Sequence, residues 1–367
     1  MKLFKSLLVA PATLGLLAPM SATANEVTIS DFSPAEQIAV TNSRVDGLEA
    51  RMNDMEAGGF SETTTASFSL DTVIGAVDGG NDATEAVSFD YQMGIGLSTS
   101  FTGEDSLDIT IDVGGGTETT TDTETEANQI MGYDNTGGKM VVDGITYTFP
   151  VGGATVLIGD TTDISSTFTG ACTYSAFTDA TPDDCGTGNS LGVGGNGVTA
   201  SIGYAFDSGF SLAGGVSSTK SAIMTKEGKD SFGVEAAYNA DSYGVAVAYV
   251  SNDNAASATS DIWGVNGYYT FDLASVSVGL ETSDDGTDEK SGYFVGVSFP
   301  EVGPGSVNVA AATTGLFKDS ETELLIYEAS YSYPINDGMT ITPGVYIKEA
   351  SSGDDDTGVL VKTSFSF

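Results

Sequence analysis

From Phe60 onward apolar residues recur at every second position, the period of a β-strand. Tyr243, Val245, Val247 and Tyr249 alternate with Gly244, Ala246 and Ala248, and Val276, Val278 and Leu280 alternate with Ser275, Ser277, Gly279 and Glu281. The pattern predicts about sixteen strands, from one near 60–77 through 305–313, 321–333 and 338–349 to a last one at 357–367. One face of these strands is apolar and the other is small or polar. A helical period occurs only at 34–57, and after residue 24 no apolar run is long enough for a spanning helix.

The connections predict how the strands are assembled. Phe206-Asp207-Ser208-Gly209, Asn239-Ala240-Asp241, Phe271-Asp272-Leu273-Ala274, Pro300 to Gly305 and Pro334 to Gly338 read as tight turns. Between them lie longer polar loops at 219–229, 251–258, 283–289, 314–320 and 350–356. Regular alternation of short turns and long loops is a property of transmembrane antiparallel barrels, with the short turns periplasmic. Phe206, Phe210, Phe271, Phe299, Tyr333 and Phe367 fall at the short-turn ends, where an aromatic girdle belongs. The tail, with Val359, Val361, Phe365 and the terminal Phe367 on one face, resembles the closing strand of bacterial outer-membrane barrels. In those proteins the terminal Phe is read by the barrel insertion machinery. The expected fold is therefore all-β, a transmembrane antiparallel barrel at 58–367, with outer-membrane lipid around it. Small inward side chains on so many strands imply a water-filled lumen.

The chain before the barrel divides in two. Lys2 and Lys5, the apolar Leu7 to Leu17 and the A-x-A site Ala22-Thr23-Ala24 predict a signal peptide at 1–24; an uncleaved anchor is the alternative. A linker and short coiled-coil helix follow at 25–57. Ser33 suits the N-cap, Pro34 the first helical position and Glu36 the first turn. Ile38, Val45, Leu48, Met52 and Met55 fall on heptad a and d positions, and Gly58-Gly59 ends the run. Arg44 and Glu49 bracket an R-h-x-x-h-E element of the kind found in trimeric coiled coils, which implies a homotrimer. An amphipathic helix packed on the barrel is the other reading.

Charge and composition narrow the chemistry. There are 12 Lys+Arg against 51 Asp+Glu, a net charge of −39, and no His. Such a chain repels nucleic acid and attracts cations. Without His it has no Ser-His-Asp or Cys-His site, and no enzyme is expected. Cys172 and Cys185 are the only cysteines. In an exported chain such a pair reads as a disulfide, with two free thiols as the alternative.

Both cysteines lie in 159–196, the longest loop and the third on its side of the barrel. It carries Asp160, Asp163, Asp179, Asp183 and Asp184 and no Lys or Arg. In general porins, which this arrangement resembles, the third loop folds into the lumen and narrows it; by that resemblance these acids are the constriction candidates. A loop that stays outside is equally compatible with the sequence. The barrel holds eight Lys and no Arg, whereas an anion pore lines itself with Arg or Lys, so cation preference is expected. Glu281, Glu328, Lys348 and Lys362 are assigned to the lumen face. No cofactor and no metal site is expected. Acidic loops such as Asp284-Asp285 and Asp354-Asp355-Asp356 would bind Ca²⁺ or Mg²⁺ at most loosely, since they lack EF-hand spacing.

The stretch Asn42-Ser43-Arg44-Val45-Asp46-Gly47-Leu48-Glu49-Ala50-Arg51, continuing through Gly58-Gly59-Phe60-Ser61-Glu62, resembles the junction in cyanobacterial major outer-membrane porins. These belong with the carbohydrate-selective and iron-uptake porin group. The resemblance is specific over 40–66 and general over the barrel. It implies a trimer passing small ions and solutes, sugars or metal ions among them. The family's surface-layer-homology domain has no room between Asn25 and the stalk, so contact with cell-wall polymer would fall to the stalk. The expected function is passive, cation-preferring diffusion of small hydrophilic solutes. The alternative is a structural envelope barrel whose conductance is incidental.

Overall fold

The computed structural model describes residues 64–79, 86–115, 125–180, 185, 197–223, 225, 228–253 and 259–367. The signal peptide, the linker and the whole stalk, with Arg44, Val45, Leu48, Glu49, Met52 and Met55, lie outside the described residues, as do Asp183 and Asp184.

The strands are β1 (Thr64–Asp78), β2 (Ser88–Thr99), β3 (Ser106–Gly114), β4 (Val141–Val151), β5 (Ala154–Asp160), β6 (Gly197–Ala205), β7 (Phe210–Thr219), β8 (Asp230–Asn239) and β9 (Tyr243–Asp253). They continue as β10 (Ser260–Thr270), β11 (Ser275–Asp284), β12 (Glu289–Val302), β13 (Gly305–Thr313), β14 (Phe317–Lys318), β15 (Leu325–Asn336), β16 (Met339–Lys348) and β17 (Asp356–Ser366). The two-residue β14 is a loop fragment paired to β12 through Lys290 and Ser291. The other sixteen form a closed antiparallel barrel, with each strand beside its sequence neighbour and β17 paired to β1 from Ser69↔Ser366 to Asp78↔Thr357. Closure leaves no sheet edge, so outside a few bulges the backbone of each strand is paired to its neighbours around the barrel. Among the described residues no helix is long and apolar enough to cross a membrane. Strands are the elements that can do so.

The two faces separate as the alternation predicts. Val245, Val247, Trp263, Val265, Val278 and Leu280 are exposed on the outer wall, while Ala246, Ala248, Asn266 and Ser277 between them are buried. A large exposed apolar surface on a closed barrel is the surface that lipid covers. The connections alternate as well. Val302↔Gly305 and Asn336↔Met339 close two-residue turns, while the opposite end carries the long loops.

Two expectations are corrected. Pro300 and Pro334 do not start turns; they lie inside β12 and β15, and the turns come after them. Each sits at a register shift, between Phe299 and Val302 and between Pro334 and Asn336. At Pro300 the bulge leaves the ladder position unpaired, which suits a residue without an N–H, whereas Pro334 stays opposite Thr340 and Ile335 is the unpaired residue. The strand expected at 321–333 is accordingly displaced to Leu325–Asn336.

The second correction concerns the lumen. Inward side chains are not uniformly small. Val73, Phe294, Ile326, Tyr346 and Leu360 point inward and are buried. They pack against Ala127, Ile130, Met131 and Tyr133 of the β3–β4 connection (loop 2) and Phe177 and Cys185 of the β5–β6 connection (loop 3). Part of the space within the barrel is thus an apolar core made by two loops and the wall.

Candidate functional site

Loop 3 runs along the inner wall. It opens with a 3-10 turn, Ile164–Thr167, whose Ile164 is fully buried against the inward positions of Gly215 and Gly233. The chain then passes from strand to strand. Thr169 N–H donates to Glu235 Oε1 on β8 at 2.6 Å, and Gly170 N–H reaches both oxygens of that carboxylate at 3.2 Å. Ala171 N–H donates to Asn266 Oδ1 on β10 at 3.0 Å. Thr173 N–H donates to Ser277 Oγ on β11 at 3.1 Å. At β15, Glu328 accepts from Tyr174 OH (2.7 Å), Phe177 N–H (2.9 Å), Thr178 N–H (2.9 Å) and Thr178 Oγ1 (2.7 Å). These partners share the inward parity of their strands, so a short stretch of loop spans the wall from β8 to β15 from within.

The wall is shaped to receive it. A Cβ at Gly279 of β11 would lie 1.5 Å from the carbonyl oxygen of Cys185, and one at Gly344 of β16 would lie 2.4 Å from the ring of Phe177. Any side chain at these positions would displace the loop. Cys172 and Cys185 are joined by a disulfide with Cα atoms 5.7 Å apart. Tyr174, Phe177 and Thr178 lie within the ring it closes.

Loop 2 continues the lining. Thr125 caps the short helix α1 (Glu126–Ile130) by accepting from Asn128 N–H at 3.0 Å, and its hydroxyl donates to Asp90 Oδ2 on β2 at 2.6 Å. Asp179 N–H donates to Ile130 O at 2.8 Å, tying loop 3 to α1. Five residues make too short a helix for sequence periodicity to register.

The acids assigned to a constriction fall in different places. Asp160 ends β5 on the parity of Val156 and Ile158, which is the outward one (Val156 faces the exposed Ile202), and its carboxylate pairs with Lys220 at 2.6 Å. It belongs to the long-loop rim and not to the inner run of loop 3. Asp163 precedes the 3-10 turn and is half-buried; burial holds its carboxyl above the usual carboxylate range. Asp179 is exposed, with its side chain against Gly132 of loop 2. Glu281 and Glu328 share the inward parity but are only 6 % and 3 % exposed, so they face loops and neighbours, not open lumen. Lys348 and Lys362 also have inward parity, and Lys362 lies 3.6 Å from Asp71.

The sequence reading missed a second acidic wall. Asp71, Asp90, Asp108 and Asp112 all take the inward parity of β1 to β3, as the pairings Val73↔Asp90, Gly94↔Asp112 and Ser98↔Asp108 require. Asp134 of loop 2 and Asp143 of β4 stand near Asp112 and are exposed. Strict parity counting along β1–β3 was the signal that could have found them. Among the described residues no cluster of His, Cys, Asp or Glu is arranged to hold a metal ion.

No family model matches the chain. Over 166 residues it is 31% identical to an uncharacterized protein of Nostoc sp., a match covering 41% of this chain and 28% of that protein. The chain thus spans less than a third of the length of this curated relative. Solved structures are similar over nearly the whole barrel. OprB of Pseudomonas putida, in a high-pH structure, aligns with a TM-score of 0.65 at 12% identity, covering 85% of this chain and 97% of that one. A triple mutant of Rhodopseudomonas blastica porin aligns with a TM-score of 0.52 at 14% identity, covering 83% and 100%. The fold is that of the bacterial porins.

Proposed function

We propose that this chain is a passive diffusion porin of a bacterial outer membrane, related to the cyanobacterial and carbohydrate-selective porins. Its short turns are periplasmic and its long loops face outward. The observation that carries the reading is the course of loop 3 along the inner wall of a closed sixteen-strand barrel whose outer face is apolar. Loop 3 narrows the lumen, and size exclusion at that level sets which small hydrophilic solutes pass, sugars and metal ions among them. No bond is made or broken.

Carboxylates set the charge bias. The acidic inward wall of β1–β3, with Asp179 on loop 3, raises the local concentration of cations and depletes anions. Divalent ions such as Ca²⁺ or Mg²⁺ are at most loosely held there. The stalk expected at 34–57 joins three copies through Arg44–Glu49 pairs, and any contact with cell-wall polymer falls to it. The barrel insertion machinery recognises the terminal Phe367.

The test is single-channel recording of purified full-length protein in a planar bilayer under a salt gradient. Openings in groups of three with a cation-selective reversal potential support the whole reading. The apolar core that loops 2 and 3 build within the barrel favours one other reading, an envelope barrel with incidental conductance. A correctly folded, heat-modifiable barrel that does not conduct would establish that one instead.

A further inference from the structure

Glu235 and Glu328 are buried inward carboxylates that take no part in ion passage as just described. Each is filled by donors from one segment of loop 3. We propose that they are positioning residues, two clamps on β8 and β15 that fix the course of loop 3 and thereby the bore of the channel. The proposal rests on the porin reading for its functional consequence, and on geometry alone for the clamping.

The chemistry of the partners specifies a carboxylate. Backbone N–H groups only donate. At Glu328 one oxygen receives Phe177 N–H and the other receives Thr178 N–H. An amide in either orientation would turn its NH₂ toward one of these N–H groups, so Gln satisfies only half of the site. Charge-assisted hydrogen bonds are also stronger than neutral ones. At Glu235 both Thr169 N–H and Gly170 N–H reach Oε1 and only Gly170 also reaches Oε2, so an amide with its carbonyl at Oε1 keeps both contacts and loses only the charge.

The two clamps differ in reach. Tyr174, Phe177 and Thr178 lie within the ring closed by Cys172–Cys185, so Glu328 grips a body already stiffened by a covalent link. Thr169 and Gly170 lie ahead of that ring. Loss of Glu235 frees the approach to the ring, and loss of Glu328 frees the ring itself.

The test compares wild type, E328Q, E328A and E235A as full-length protein. Amide hydrogen exchange reads the clamps and bilayer recording reads the bore. In wild type, the Phe177 and Thr178 amides exchange slowly. In E328Q and E328A they lose protection while Thr169 and Gly170 keep it, and E235A shows the reverse. Unitary conductance rises from wild type through E328Q to E328A, with added open-channel noise, while the temperature of the heat-modifiable gel shift stays at the wild-type value. A purely structural role would lower that temperature and leave conductance and noise unchanged, which overturns the proposal. Unchanged exchange at 177 and 178 in both Glu328 variants also overturns it. If wild type does not conduct, the porin reading fails, and the exchange pattern alone decides the clamps. E328Q keeps the experiment open should E328A fail to fold.

Discussion

Phe68 and Phe367 exchange both backbone hydrogen bonds, at 2.8 and 3.0 Å, and their rings stack with centroids 5.7 Å apart. Phe367 therefore extends the β1–β17 pairing beyond Ser366. The ring pair is worth about 0.5–1.5 kcal/mol beyond its buried area. Deleting Phe367 also removes two seam hydrogen bonds, each contributing about 1 kcal/mol. We expect F367A to lower the temperature of the heat-modifiable gel shift modestly and deletion of Phe367 to lower it further. Equal shifts in the two variants would mean that the backbone pairing contributes nothing.

Val265 on β10 faces outward opposite Val247, and its chain neighbour Asn266 faces inward beneath loop 3. If lipid covers the outer wall, V265R destabilises the folded barrel by about 2–4 kcal/mol, the cost of Arg at mid-bilayer. The measurement is folding equilibrium in lipid vesicles. A loss well below this range would place Val265 against water or another protein surface.

Asp105 anchors the turn between β2 and β3. It accepts from Tyr147 OH at 2.7 Å, Thr102 N–H at 2.7 Å, Phe101 N–H at 2.9 Å and Ser100 Oγ at 2.8 Å. The Tyr147 hydroxyl, then the Thr102 donors and Ser100, hold its carboxyl well below the ordinary 3.8. A depressed acid stabilises the native state above its unfolded pKa and loses that contribution as pH falls toward the native one. The stability difference between wild type and D105N should be constant from pH 7 to about 5 and shrink progressively as pH falls through about 4 toward the native pKa. A difference that vanishes by pH 5 would refute the assignment.

The barrel was legible in the sequence because its physics is local. A strand with lipid on one side and polar or small groups on the other must alternate, and Tyr243 to Tyr249 does so whatever its neighbours are. Loop 3 was not legible because its placement depends on contacts between distant segments. Alternation assigns Glu328 to the inner face but cannot say that Phe177 and Thr178, some 150 residues earlier, will occupy both oxygens. One trace was present. Gly233, Gly279, Gly296 and Gly344 all take inward positions, and each lies under loop 3. A row of inward glycines on separate strands marks where backbone or rings approach the wall.

Charge selectivity should follow the exposed wall and not the buried acids. Asp112 and Asp143 stand together on the inward side of β3 and β4, with Asp134 of loop 2 beside them. Glu281 has the same charge and parity but is buried. A fixed charge biases ions through the water that the ions occupy, and a desolvated charge already held by its surroundings does so less. We therefore expect D112N/D143N to move the reversal potential toward zero in a salt gradient, while E281Q leaves it unchanged. Burial, with Asp143 beside it, raises the pKa of Asp134. As pH falls from 7, Asp134 loses its charge before an ordinary carboxylate does, so cation preference should begin to decline above the usual carboxylate range. In a D134N channel that early part of the decline should be smaller. A reversal potential that follows Glu281 instead would mean that the conducting path runs on the far side of loop 3, between the loop and the wall.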